Sequence, residues 1–189
     1  MFHKKLIIIF ILLLISAESF AELSESVEYK YYVISPRSPS EIKPELMRNS
    51  PIREGNGSYN GHTDWYIEWR NQSKQTPDGC QLISYTTKVH VVHILPALSE
   101  QVSDKQTIDV FNTFNSVLTQ HEKNHGNHGL TAAREIDKAF SEIQTQQNCR
   151  DLAQMINNIG NAIVQKYTQA DIEYDRITDN GLTEGAVIY

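Results

Sequence analysis

His121-Glu122-Lys123-Asn124-His125 carries the strongest chemical signal in the chain. A spacing of four puts both imidazoles on one face of a helix, one turn apart, where both can reach a single zinc ion, with Glu122 beside them. Zinc lowers the pKa of its water and polarises a substrate carbonyl, while Glu122 accepts the proton and passes it to the leaving amine. The chemistry indicated is hydrolysis of a peptide bond, with Zn2+ as cofactor and a peptide or protein as substrate. Lys123 and Asn124 are both polar, whereas many zinc proteases have an apolar residue after the Glu. The competing reading is a pair of core histidines hydrogen-bonded to neighbours.

The surrounding pattern favours the metal. At 100° per residue, Val110, Phe114, Val117, Leu118, His121, His125, His128, Ala132, Ile136, Ala139 and Ile143 share one face of a helix. Both motif histidines lie near the centre of that apolar stripe, and burying two polar rings there needs compensation. Gly126 and Gly129, on its flank, permit a break but do not require one.

Two histidines leave a catalytic zinc one protein ligand short. His128 is seven residues from His121, about 10.5 Å along a helix axis, so an unbroken helix cannot bring it to the same ion as His121 and His125. Thr131 stands where an extended metzincin motif would have its third His. A second helical pattern follows the turn at Asn148-Cys149-Arg150, with Leu152, Met155, Ile156, Ile159, Ile163, Tyr167 and Ala170 on one face and an end near Asp175. If the two helices are antiparallel about residue 148, His121 faces Asp175 and His125 faces Asp171. Asp175 is favoured as third ligand, although its offset from the stripe asks for a fray at the helix end. Asp171, Glu173 and His128 stay open. Tyr174 is either a core aromatic or a phenol that stabilises an oxyanion.

The elements that position these residues divide the chain in two. Val27–Ile34, the alternating Trp65, Ile67 and Trp69, and the segment from Cys80 to Ile94 read as strands. Pro36, Pro39 and Pro44 are expected to break regular structure after the first strand, and residues 49–62 read as a loop. His90 and His93, three apart on a strand, fall on opposite faces and form no joint site. They read as ordinary surface or packed residues. Strands first and helices second predict an α+β fold, with an N-terminal antiparallel sheet packed on two long antiparallel helices.

Composition sets the outer limits. The chain has 189 residues, 40% of them hydrophobic, a net charge of −6, seven His and two Cys. A pI near 5.6 leaves no basic excess for nucleic acid. Lys4 and Lys5, an apolar run over 6–15, and small residues before Ala21 form a secretory signal with cleavage after Ala21. The run is about half the length that spans a bilayer, so no stable membrane anchor remains after cleavage. A single domain follows over 22–189: β-rich over 22–100, helical over 104–175, and a tail over 176–189. Export to a periplasm or beyond favours a disulfide between Cys80 and Cys149, closing a loop of about 70 residues and stabilising by about 4 kcal/mol. Asn56-Gly57-Ser58 and Asn71-Gln72-Ser73 match glycosylation acceptors.

Taken in order, these residues resemble a bacterial family of predicted secreted zinc-dependent proteases, also called domain of unknown function 922. The resemblance rests on Thr63-Asp64-Trp65-Tyr66-Ile67-Glu68-Trp69, Cys80, Leu95-Pro96, the His121-Glu122-x-x-His125 helix, Cys149, and the tail Tyr174-Asp175-x-x-Thr178-x-x-Gly181 followed by Gly185-Ala186. It implies a zincin-like fold and peptidase activity. The family tail commonly carries a His just before the Gly, where this chain has Asn180. If that His coordinates metal in relatives, Asp175 must serve here or the metal is held poorly. The resulting expectation is an exported zinc metallopeptidase with His121, His125 and Asp175 as ligands and Glu122 as general base. The alternative is a non-catalytic exported binding or envelope-maintenance protein on the same fold.

Overall fold

The period-two segments of the N-terminal half form three long strands in the computed structural model, which describes residues 20–54 and 57–188. They are β1 (Phe20–Ile34), β4 (His62–Thr76) and β5 (Gly79–Leu98), with the small hairpin of β2 (Arg53–Glu54) and β3 (Gly57–Ser58) between the first two. The strand order is β1-β5-β4. β4 and β5 are an antiparallel hairpin running from His62↔Ile94 to Thr76↔Gly79. β1 lies parallel to β5, from Phe20↔Ser84 to Ile34↔Leu98. The sheet is therefore mixed, which corrects the antiparallel expectation. Alternation reports which face of a strand is buried, whereas direction is set by the connection, and the long path from β1 to β5 permits a parallel pair.

That path contains α1 (Pro39–Asn49), a second correction. Pro39 opens the helix, where a missing N–H costs nothing. Pro44 sits on its exposed side, and Ile42 and Leu46, one turn apart, are fully buried.

α2 (Lys105–Ser141) runs unbroken for 37 residues, starting at Asp104, whose carboxylate accepts the Thr107 N–H. α3 (Cys149–Thr178) starts at Asn148, whose side chain accepts from the N–H groups of Arg150 and Asp151. The two are antiparallel, as contacts of His121 with Asp175, His125 with Asp171 and Glu135 with Lys166 show. Their close seating on the sheet depends on glycines. A Cβ at Gly129 would stand 2.5 Å from Trp65 Cγ, and one at Gly160 would stand 2.7 Å from Trp69 Cζ2. The opposite face of the sheet carries exposed Glu68, Arg70, Lys88 and His90 and is solvated.

Two apolar cores flank the middle of α2. One joins Ile34, Ile42, Leu46, Leu95, Phe111 and Phe114; the other joins Tyr85, Ile136, Phe140, Leu152 and Ile156. The Cys80–Cys149 disulfide, with Cα atoms 5.0 Å apart, ties the start of β5 to the start of α3. Backbone bonds between Cys80 and Gln146, at 2.7 and 3.0 Å, reinforce that tie.

The signal segment lies outside the described residues as far as residue 19, and Phe20 and Ala21 begin β1. Asn56 also lies outside them, and Asn71 is exposed on β4. Among the described residues no helix is long and apolar enough to cross a membrane.

Candidate metal centre

Between the two cores the buried seam of α2 turns polar. His121 and His125 are 4% and 8% exposed. Each gives its Nδ1 to a carboxylate, His121 to Glu184 Oε2 at 2.8 Å and His125 to Asp171 Oδ1 at 2.9 Å. With both Nδ1 atoms donating, both Nε2 atoms of the neutral rings are lone-pair acceptors. These Nε2 atoms are 3.2 Å apart, and Asp175 Oδ1 lies 3.2 Å from the first and 3.0 Å from the second. With neutral rings three acceptors converge, an arrangement that a metal cation, or a proton on one Nε2, completes. A tetrahedral zinc site with bonds of about 2.0–2.1 Å has ligand atoms about 3.3 Å apart, so the residues fit this metal.

A neighbouring cluster has the opposite polarity. Asp171 accepts from His125 Nδ1 at 2.9 Å, His128 Nδ1 at 2.6 Å and Trp65 Nε1 at 2.6 Å. His125, His128 and Asp171 are close enough to be a second candidate metal group. Here, however, donors converge on an acceptor and no cation is needed. Burial works to raise the Asp171 carboxyl, but these donors and the His125 charge hold it below the usual range. Burial also opposes a charge on His125, yet Asp171, Asp175 and Glu122 raise its pKa.

Asp175 needs no fray, because α3 continues to Thr178. The inward-facing residues of α3 follow the line Leu152, Ile156, Gly160, Ile163, Tyr167, Asp171 and Asp175, a regular helical seam that changes from apolar to polar. Glu173 pairs instead with Arg176 at 2.6 Å.

Glu122 is 4% exposed, and its Oε2 accepts from Thr63 Oγ1 at 2.8 Å. Burial raises its pKa, against lowering by the Thr63 bond and the nearby histidines. Gly61 comes so close that a Cβ there would lie 2.7 Å from Glu122 Oε1. Together with His121, His125 and Asp175 these groups line a cleft of about 680 Å3, whose rim includes Tyr59, Asn180 and Leu182.

Tyr174 stacks on His121 with ring centroids 4.8 Å apart. Its hydroxyl accepts from Asn124 Nδ2 at 2.7 Å and donates to Glu184 Oε1 at 2.7 Å. Burial and Glu184, opposed by Asn124, push the phenol up to about 12. Its single proton is committed to Glu184, so in this arrangement it has none for an oxyanion.

Residues 29–181 match the model of a family described as a bacterial protein of unknown function, DUF922. The chain belongs to this family. No curated protein and no solved structure matches it. Within the matched DUF922 segment lie the strand of Thr63 and Trp65, both motif histidines, Glu122, Asp171 and Asp175, whereas Glu184 follows its end.

The roles of Glu184, Thr63 and Trp65 as partners of the site are not evident from sequence. Glu184 lies 63 residues from His121, Thr63 59 from Glu122 and Trp65 106 from Asp171, and only the helical phase of Asp171 gave a signal.

Proposed function

We propose that this DUF922 protein is an exported zinc-dependent peptidase of zincin-like architecture. The observation that carries the reading is the convergence of His121 Nε2, His125 Nε2 and Asp175 Oδ1 within 3.2 Å of one another, beside a buried Glu122 in an open cleft. Three protein ligands are the number that catalytic zinc sites use, leaving a position for water or substrate. When bound, zinc supplies Lewis-acid polarisation of a carbonyl and acidifies water.

The chain's own groups supply the rest. Glu184 and Asp171 fix the two imidazoles in the tautomer that turns Nε2 inward. Glu122, raised by burial, takes a proton from the attacking water and returns it to the leaving amine. Tyr174 and Asn124 hold Glu184 in place. The apolar lining contributed by Ile52, Leu118 and Leu182 is suited to a peptide side chain. The Cys80–Cys149 bridge fits an oxidising compartment, a periplasm or the exterior.

Metal analysis together with casein hydrolysis tests this. The expected result is about one zinc per full chain, with hydrolysis lost in Glu122→Gln and zinc retained. Folded protein without zinc overturns the ligand assignment. Zinc without any Glu122-dependent hydrolysis establishes the non-catalytic alternative.

A further inference from the structure

Beyond Thr63 from Glu122 stands a buried imidazole with no role in the proposed mechanism. His93 on β5 is 2% exposed. Its ring fills the space left by Gly126, where a Cβ would stand 2.7 Å from His93 Cε1. Tyr29 packs against the ring with centroids 4.8 Å apart. A glycine directly after His125 thus makes room for a histidine from the sheet.

The hydrogen bonds there have one consistent proton assignment when Glu122 is ionised. Thr63 Oγ1 lies 2.8 Å from His93 Nδ1, 2.8 Å from Glu122 Oε2 and 3.0 Å from the Glu122 carbonyl oxygen. A carboxylate and a carbonyl only accept, so the Thr63 proton is given to Glu122. Thr63 Oγ1 must then accept, and the partner placed to donate is His93 Nδ1–H. Burial, followed by the charges of Lys123 and His125, lowers the His93 pKa, so the donor is the Nδ1–H of a neutral ring.

We propose that His93 and Thr63 are positioning residues for Glu122: His93 Nδ1–H donates to Thr63, Thr63 donates to Glu122 Oε2, and the carboxylate is held with Oε1 against Gly61. This rests on the reading of Glu122 as the general base. A Glu side chain at the edge of a cleft has several rotamers, and proton transfer needs one of them. The chain of bonds from the sheet selects it, and the Gly126 gap sets where that chain begins.

Two readouts on the zinc-loaded full chain test the proposal. In 15N-histidine NMR, His93 is expected as the Nδ1–H tautomer with a slowly exchanging proton, and that protection is lost in Thr63→Val. An Nε2–H tautomer overturns the proposal. With fluorescein-labelled casein as substrate, Thr63→Val is expected to lower kcat by about tenfold to hundredfold, the range for loss of an outer partner, with KM and zinc affinity unchanged. Thr63→Ser, which restores the hydroxyl, is expected to recover most of the loss. Full activity in Thr63→Val, or an equal loss in Thr63→Ser, overturns the proposal. His93→Asn, which keeps a donor, and His93→Leu, which does not, provide a second pair with the same expected order. If the wild-type chain binds zinc and cleaves no casein, the peptidase reading fails, and the His93 tautomer alone decides whether the His93–Thr63–Glu122 chain exists.

Discussion

His121 Nε2 stands 3.2 Å from His125 Nε2, and when both rings are neutral and donate through Nδ1 to their own carboxylates, neither atom has a proton to offer the other. Two facing lone pairs at this distance repel. Asp175 Oδ1, 3.0–3.2 Å from both, adds a third. A buried polar group without a partner costs about 1–3 kcal/mol, so this geometry makes sense around a cation.

In the proposed site Asp175 is the third ligand. Asp175→Ala is expected to weaken zinc binding by more than about a hundredfold, beyond the usual loss for an outer partner. Glu173→Ala, which breaks only an exposed pair with Arg176, leaves it unchanged. Competition with a chromogenic chelator measures both. Equal affinities would remove Asp175 from the coordination sphere.

Glu184 joins the tail to the metal helix through His121 Nδ1 and the Tyr174 hydroxyl. Glu184→Gln keeps the shape but weakens the orienting bond. Zinc affinity should fall about tenfold with an unchanged far-ultraviolet circular dichroism spectrum. An unaltered affinity would show that the tail carboxylate does not orient His121.

Gly129 lets α2 approach Trp65 closely enough that an added Cβ would lie 2.5 Å from Trp65 Cγ. Helix propensity alone favours Ala by about 1 kcal/mol. The clash should win, and Gly129→Ala is expected to destabilise by about 1–3 kcal/mol in urea unfolding. A more stable variant would contradict the packing described.

Reducing the Cys80–Cys149 bond frees a loop spanning 69 positions. The expected cost is about 4 kcal/mol, equivalent to a fall in Tm of roughly 8–16 °C for a chain of this size. Thermal unfolding of Cys80→Ala/Cys149→Ala measures it. A Tm within about 2 °C of wild type would mean that the backbone bonds between Cys80 and Gln146 suffice without the bridge.

Some of this structure was legible because it is local. The helical period of α2, the alternation of β4 and the spacing of His121 and His125 depend on neighbours in the chain. Reflection through residue 148 placed Asp171 and Asp175 at the heights of His125 and His121, because two antiparallel helices joined by a short turn leave little freedom of register. The facing of α3 was harder to read. The apolar residues of α3 alone define a line displaced toward Met155 and Ile159 and away from Gly160. Gly160 belongs to the seam because Trp69 occupies the space above it. Once Gly160 is included, Asp171 and Asp175 fall on the seam without a fray. On α2 likewise the buried line departs from the apolar one: Val110 is 37% exposed, while Glu122, Gly126 and Gly129 are buried.

By itself the sequence determined the parts governed by short-range physics: strands before helices, two long helices, the cysteine pair that export would oxidise, and two imidazoles one turn apart next to a Glu. Only the tertiary structure decided the direction of β1, the helix containing Pro39 and Pro44, and the carboxylates that turn both Nε2 atoms inward. It also decided the seating of His93 behind Glu122. These depend on pairs such as His121 with Glu184 and Thr63 with Glu122, 63 and 59 residues apart. Over such separations no periodicity reports which side chain meets which, and close packing around glycines selects the partners.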